Sequence, residues 1–281
     1  MTRRGVPTVI GLVLFVIAIA VVFVFLFPLL WTAITSVKPP TETFQSTFIP
    51  YVQFQPTLEH WANELGRARE IVKGFKNSIL ISLGATVLAG ALGSLAAYGL
   101  ARFRFRRWRN SDMALWFLSQ RFLPPIVMVI PIFVMMQRLN LVDSPLALII
   151  ANTTFTMPFV VLIMRDAFQD IPVEIEESAL VDGCSRFRAF WSIALPLAAP
   201  ALAAACIIVF AFTWNEFLFA LVLTNRDATP MTITIAGSFE QRGVQFWKLA
   251  VRILLVMALP AILVAMVQRY IVRGLTFGAV K

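Results

Sequence analysis

The sequence predicts an all-α protein that crosses a membrane six times, and three observations carry that prediction. Of 281 residues, 59% are hydrophobic and only 14% charged, against about 45–50% apolar and about 25% charged in soluble domains. The mean hydropathy is +0.81, too apolar for a water-soluble fold of this length to hide. The third observation is arrangement: uncharged runs of about twenty residues, long enough to cross a bilayer as a helix, recur along the chain. These runs separate the positive residues, so the net charge of +9 forms no single stripe and does not argue for nucleic acid. Cys184 and Cys206 are too few and too far apart for a disulfide framework or a zinc site. The single histidine, His60, excludes histidine-rich metal chemistry.

The first span, residues 8–33, lies between Arg4 and Lys38 with no charge in between. It is too long for a signal peptide and lacks the cleavage pattern. The second span covers residues 77–101, and the third, about 113–136, contains Arg121. The fourth covers 144–164, the fifth about 197–224 with Glu216 inside, and the sixth about 249–267 with Arg252 inside. Orientation follows from Lys and Arg near the span ends. One set of connections holds Arg3, Arg4, Arg102, Arg104, Arg106, Arg107, Arg109, Arg165, Arg186, Arg188, Arg269, Arg273 and Lys281. Placing that set in the cytoplasm gives both termini inside. Most basic residues on the other side sit in the long loop 36–76, and long loops translocate with less regard to charge. That loop is too short for an independent domain. In the second span Ala85, Ala89, Gly93, Ala97 and Ala101 recur every four residues, a small-residue stripe that permits close helix packing in lipid.

Segment 166–196 is not a span. Asp170 is expected to cap a short helix with Pro172 in its first turn, and Glu174, Glu176 and Glu177 stand where the helix dipole favours anions. Gly183 is a stop suited to a left-handed cap, and Ser185 can open a second short helix that ends before Pro196. An acidic-fronted helix of this kind is suited to another protein's groove. A solvated loop is the plainer alternative.

The pattern Glu177-Ser178-Ala179, Gly183 and Ile193-Ala194-Leu195-Pro196 resembles the coupling motif of permeases of binding-protein-dependent ABC importers. That motif reads Glu-Ala-Ala, three residues, Gly, nine residues, Ile-x-Leu-Pro; every spacing is kept and one Ala is Ser. Asn77-Ser78, the run 97–102, Trp214-Asn215-Glu216-Phe217 and the ending Gln268-Arg269-Tyr270 through residues 274–281 are similar to the maltose-type carbohydrate subfamily. The likeness is strongest to the second, shorter permease of its pair.

The resemblance implies the type I importer permease fold in a bacterial cytoplasmic (inner) membrane. Residues 1–72 would form an N-terminal span and first external loop, and 73–281 a core permease domain with a coupling helix at about 170–196. It implies as partners a second permease subunit, two copies of a cytoplasmic ATPase and an extracytoplasmic solute-binding protein, besides membrane lipid. Coupling to the ATPase would fall to Glu174, Glu177, Ser178, Ala179, Asp182, Gly183, Leu195 and Pro196, with the tail after Arg273 also touching the ATPases. The loop 225–248 resembles the part that reaches into the binding protein, with Thr229, Thr232, Thr234 and Ser238 as contacts; solvated turn residues are the alternative. The chain carries no G-x-x-x-x-G-K-[ST] loop, so ATP and magnesium would sit on the partner ATPases, with no cofactor here and no catalysis by this subunit.

Polar residues at membrane depth remain. Arg121, roughly 14 Å into a continuous third span, should face protein or water, and Pro124 and Pro125 after it remove two backbone donors. Arg121 through Pro125 is thus a translocation-pathway candidate; a structural ion pair or carbonyl clamp is the alternative. Glu216 and Arg252, roughly 12 Å and 5 Å from the outer ends of their spans, are expected to bridge as an outer gate. Asn152 and Asn215 complete the pathway set, although hydroxyls and amides of this kind often satisfy local helix carbonyls. A sugar or sugar alcohol is the expected solute, polyols being suggested by Arg-Phe-Leu-Pro-Pro at 121–125. The rivals are another solute such as glycerol phosphate, and an ion-driven transporter, which needs inverted repeats that are not visible.

Overall fold

The computed structural model describes residues 8–66, 68–237, 239–240 and 243–276. Among the described residues, four helices are long and apolar enough to cross a membrane: α1 (Thr8–Thr35), α3 (Ala68–Arg102), α6 (Pro145–Asp170) and the first part of α13 (Phe246–Thr276). Two bent pairs bring the spans to six if each pair counts as one. The chain divides into two compact units, Met1–Ala68 with Ile235–Leu259, and Arg69–Thr234 with Pro260–Lys281.

In the first unit, α1 is exposed at every position from Ile10 to Leu30. Its backbone donors and acceptors are satisfied within the helix, so an apolar surface of this kind is stable against lipid or another protein. The loop after it is packed around polar groups. Lys38 is fully buried; its Nζ donates to the carbonyl of Gln45 at 2.9 Å and lies 4.5 Å from the Trp31 ring centre. Helix α2 (Glu59–Gly66) carries His60, whose Nε2 is 3.0 Å from the Lys38 carbonyl, and the buried Glu64. A two-residue antiparallel hairpin, β1 (Phe239–Glu240) with β2 (Gly243–Val244), precedes α13.

In the second unit α6 is the central element, and two apolar cores form along its length. Val160, Met164 and Phe168 join Ala89, Ala97, Tyr98, Phe190 and Val209 in one; Ala147, Leu148 and Ala151 join Ile81, Val129, Met136 and Phe219 in the other. The small-residue stripe packs as the four-residue spacing predicts. Ala85, Ala89 and Ala97 are fully buried, and a Cβ built on Gly93 would lie 2.7 Å from the Cβ of Val160.

Two spans expected to be continuous are broken. In the third, α4 (Asn110–Ser119) and a 3-10 turn at Gln120–Phe122 meet α5 (Pro125–Arg138) at 95°. Leu123 and Pro124 each precede a proline, and both are driven out of the helical region, with ψ of 120° and 125°. The start of the fifth is also broken beside prolines, although Leu195, before Pro196, stays helical with φ −65° and ψ −44°. There α8 (Arg186–Ala189), a π-helical turn at Phe190–Ala194 and α9 (Leu195–Leu197) meet α10 (Ala199–Trp214) at 78°, with Pro196 and Pro200 flanking the bend. At its far end α10 stops at Trp214, and a separate helix α11 (Leu218–Leu223) follows; α12 (Met231–Ala236) comes after it.

Candidate functional site

The segment between α6 and α10 folds as a helical hairpin whose ends are set by local chemistry. Helix α6 runs through Asp170, so Asp170 does not cap the next helix as expected. Pro172, with φ −54° and ψ 131°, occupies the N-cap position of α7 (Val173–Val181) instead of its first turn. At the other end the Cys184 N–H donates to the carbonyl of Ala179 at 2.9 Å and the Gly183 N–H to that of Leu180 at 3.1 Å. This crossed pair closes the helix with Gly183 at φ +87°, a backbone conformation that L-residues rarely adopt. The hydroxyl of Ser185 accepts from the Arg188 N–H and opens α8, as the sequence predicts.

The carboxylates of α7 divide between two faces. Glu174, Glu177, Ser178, Asp182 and Gly183 are exposed, with Val181 (88% exposed) and Phe187 beside them; Ala179 and Leu195 are half-buried and Pro196 is exposed. Glu176 points the other way and is buried. It accepts from the Tyr98 hydroxyl at 2.6 Å and from Arg102 Nε at 2.9 Å, while Arg102 Nη2 donates to the Ile171 carbonyl at 2.9 Å. Glu176 was expected among the acids of an exposed helix front. Here it roots α7 on the end of α3, and the outward face holds the remaining residues of the motif.

Arg121 sits on the 3-10 turn at the break of the third span, so its depth does not follow from counting along a continuous helix. Its Nη1 donates to the Phe155 carbonyl at 2.9 Å, and its guanidinium carbon lies 4.0 Å from the Phe159 ring centre and 5.5 Å from that of Phe212. Those two rings stack on each other at 5.1 Å. Arg121 therefore faces protein, clamped by a carbonyl and aromatic faces, with Pro124 and Pro125 forming the bend beside it.

The expected Glu216–Arg252 bridge is corrected by the partners each residue takes. Arg252 Nε pairs with Glu64 Oε2 at 2.6 Å, both side chains being buried. Glu216 accepts the Phe219 N–H at 2.7 Å and the Ala220 N–H at 3.0 Å, so its carboxylate caps α11. The glutamate that looked like a charge inside one long span is what starts a new helix, because a carboxylate satisfies orphan donors at a helix N-terminus. Asn152 and Glu216 both line a small polar cavity with Ser82, Thr213 and Trp214. The hydroxyls of Ser82 and Thr213 and the Trp214 Nε1 have no partner there among the described residues. The Asn152 and Asn215 amides donate to the carbonyls of Leu148 and Ala211 four residues back, the local satisfaction described above.

A polar network holds the segment that precedes α12. Asp143, itself at φ 59°, accepts the backbone N–H groups of Asn225, Arg226, Asp227 and Ala228 at 2.9–3.1 Å. Desolvation alone would raise the Asp143 pKa, yet the four N–H donors together hold it below the ordinary aspartate value. The Asn77 amide donates to the carbonyls of Asp227 and Thr229, the Ser78 hydroxyl accepts the Met231 N–H, and Lys73 pairs with Asp227. Among the expected contact residues, the Thr232 hydroxyl donates to the Glu216 carbonyl and the Thr234 hydroxyl to that of Pro230. Ser238 and residues 277–281 of the tail lie outside the described residues. Glu64 and Asp143 are absent from the expected site residues, and Tyr98 and Arg102 entered only as part of the 97–102 run and, for Arg102, as a cytoplasmic arginine. Tyr98 and Arg102, four apart on α3, were the legible hint, since that spacing puts both on one helix face.

A protein-family model described as "Binding-protein-dependent transport system inner membrane component" matches residues 89–277. The chain is 33% identical to a probable ABC transporter permease protein of Sinorhizobium fredii over 92% of this chain and 91% of that one. It is 34% identical to the trehalose transport system permease protein SugB of Mycobacterium tuberculosis, over 91% of this chain and 92% of that one. Its fold is similar to a chain in the crystal structure of a bacterial ABC transporter that imports the acidic polysaccharide alginate. That match has a TM-score of 0.76 at 21% identity and covers 96% of this chain and 99% of the other.

Proposed function

Since this chain belongs to the family of inner membrane components of binding-protein-dependent transport systems, we propose that it is one of two permease subunits lining the path of an ATP-driven sugar importer. An extracytoplasmic protein delivers the solute, and two cytoplasmic ATPase subunits hold ATP and magnesium; this subunit carries no cofactor and performs no catalysis. Both termini and α7 lie in the cytoplasm, in agreement with the arginine-rich connections on that side. The ion-driven alternative loses its ground with the family assignment.

The observation that carries the reading is the division of α7. Its outward face offers Glu174, Glu177, Ser178 and Asp182 to a partner, and its inner face is fixed to α3 through Glu176 and Arg102. A helix held rigidly at its root passes a push from a closing ATPase pair to the spans as a body. The relative named for trehalose supports a sugar as solute.

Gly183→Asp in the complete transporter tests the coupling role. No atom outside its own neighbourhood lies within 4 Å of a Cβ at Gly183, so the substitution strains the positive-φ turn by about 1–2 kcal/mol without a clash. Membrane insertion is expected to persist while ATP hydrolysis no longer responds to the loaded binding protein. Normal uptake per ATP in that variant would remove the coupling assignment.

A further inference from the structure

Outside the coupling motif, the most strongly charged feature of the chain is the elbow between α3 and α4. In the seven residues from Phe103 to Arg109, Arg104, Arg106, Arg107 and Arg109 are exposed, and none has a carboxylate partner among the described residues. Arg102, one residue earlier, is by contrast taken up by Glu176. Between the arginines stand Phe103, Phe105 and Trp108, at 39%, 48% and 62% exposure. The loop has a fixed shape: the Asn110 amide donates to the carbonyls of Leu100 at 2.7 Å and Phe103 at 2.6 Å. Beside it is a cavity of about 560 Å³, walled by Arg104 and Arg109 from the elbow, by Asn110 and Ser111 from the start of α4, and by Gln169 and Val173 from the end of α6 and the start of α7.

We propose that this cavity binds the phosphate of an anionic phospholipid headgroup. The elbow joins two membrane-crossing elements, so it lies at the boundary where headgroups are. Unpaired arginines attract phosphate there, and interleaved aromatic rings seat at the same level. The guanidinium forks of Arg104 and Arg109 match phosphate oxygens, and the Asn110 amide, spent on the Leu100 and Phe103 carbonyls, fixes the loop that carries them. Leu100, Ala101, Phe103, Phe105 and Val173 add apolar surface to the same wall, which suits a molecule with a charged head and acyl chains better than a free anion. Because the same wall includes Arg102 and the first residue of α7, an occupied site stiffens the root of the coupling helix. The inference rests on the cytoplasmic placement of this elbow given above, and it names a ligand that placement alone does not.

The test uses the complete transporter in nanodiscs of phosphatidylcholine, with or without phosphatidylglycerol, reading binding-protein-stimulated ATP hydrolysis together with native mass spectrometry of retained lipid. Phosphatidylglycerol is expected to stay bound and to raise stimulated hydrolysis about threefold or more. R104Q/R109Q is expected to lose both effects while keeping its phosphatidylcholine rate. The same loss in R106Q/R107Q, whose arginines do not line the cavity, would mean diffuse surface charge and overturn the built site. Inorganic phosphate that reproduces the lipid effect in phosphatidylcholine discs would overturn the lipid as ligand. A separate measurement isolates the orientation: R107C in a C184S/C206S background, challenged with a membrane-impermeant maleimide. Labelling from outside intact cells overturns the cytoplasmic placement and the lipid site with it. Labelling in inverted vesicles alone, with no lipid effect, overturns the lipid site and leaves the placement standing.

Discussion

Replacing Glu176 by Gln leaves Arg102 charged and buried with no anion to face. Breaking a buried pair from one side costs about 3–5 kcal/mol, far more than the pair contributes when intact, because the surviving charge is stranded. E176Q is therefore expected to lower the thermal unfolding temperature of the purified complex and to weaken the response of ATP hydrolysis to the binding protein. E176Q/R102Q is expected to recover part of the stability; a loss equal to the sum of the two single changes would show that the residues do not interact. Asp143 makes a second prediction, set by pH. Its folded pKa is depressed, so its contribution is fully present above the unfolded value of about 3.9 and is lost as pH falls through the lower folded value. D143N should cost about 1 kcal/mol or more at neutral pH by weakening four charge-assisted hydrogen bonds. Melting curves of D143N and the parent should differ by a constant amount from neutral down to mildly acidic pH and converge below about pH 4. Neither residue was legible beforehand for this role. Both exert it on backbone or side-chain groups distant in sequence, and spacing along one helix cannot reveal such partners.

Elements were more legible than partners, and the exceptions are instructive. Apolar length located four unbroken spans and the two bent pairs that make six if each pair counts as one, and small-residue spacing located the face of α3 that packs, because both are properties of one continuous segment. The bends at 120–125 and 194–200 were written in the prolines, yet hydropathy reads straight through a bend. Glu216 was misread for the same reason: a carboxylate inside an apolar run looks like a buried charge until its neighbours prove to be the free N–H groups of a new helix. The close approach of α3 and α6 gives a test at this scale. Valine at Gly93 would put its Cβ 2.7 Å from the Val160 Cβ, and the two helices would have to part. Overpacking of this kind costs about 1–3 kcal/mol. G93V should melt lower in detergent, and G93V/V160G, which removes the opposing Cβ and its methyls, should restore part of the loss. If G93V alone melts like the parent, the close approach is not what holds these helices together.

At the scale of the whole chain, the order of the sequence and the order of packing differ. The second unit takes most of its residues from one continuous stretch, Arg69–Thr234, whereas the first combines the N-terminal segment with Ile235–Leu259. The Glu64–Arg252 bridge closes that first unit across 188 residues of chain. Contacts this distant in sequence must wait for the intervening chain and its loop-closure entropy, so the loop around Lys38 and His60 gains its last partners late. Hydrogen exchange should then separate the two units. A chain ending after Thr234 is expected to keep the slow exchange of the segment held by Asp143, residues 225–228, while residues 36–66 exchange much faster than in the full chain. E64Q in the full chain, which removes the carboxylate that Arg252 Nε pairs with in a buried site, should reproduce the faster exchange of 36–66 alone. Because the Asp143 network lies wholly within the second unit, E64Q should leave residues 225–228 unchanged. If both regions loosen together in E64Q, the two units are one cooperative body, and the late closure of the first is not a separate step.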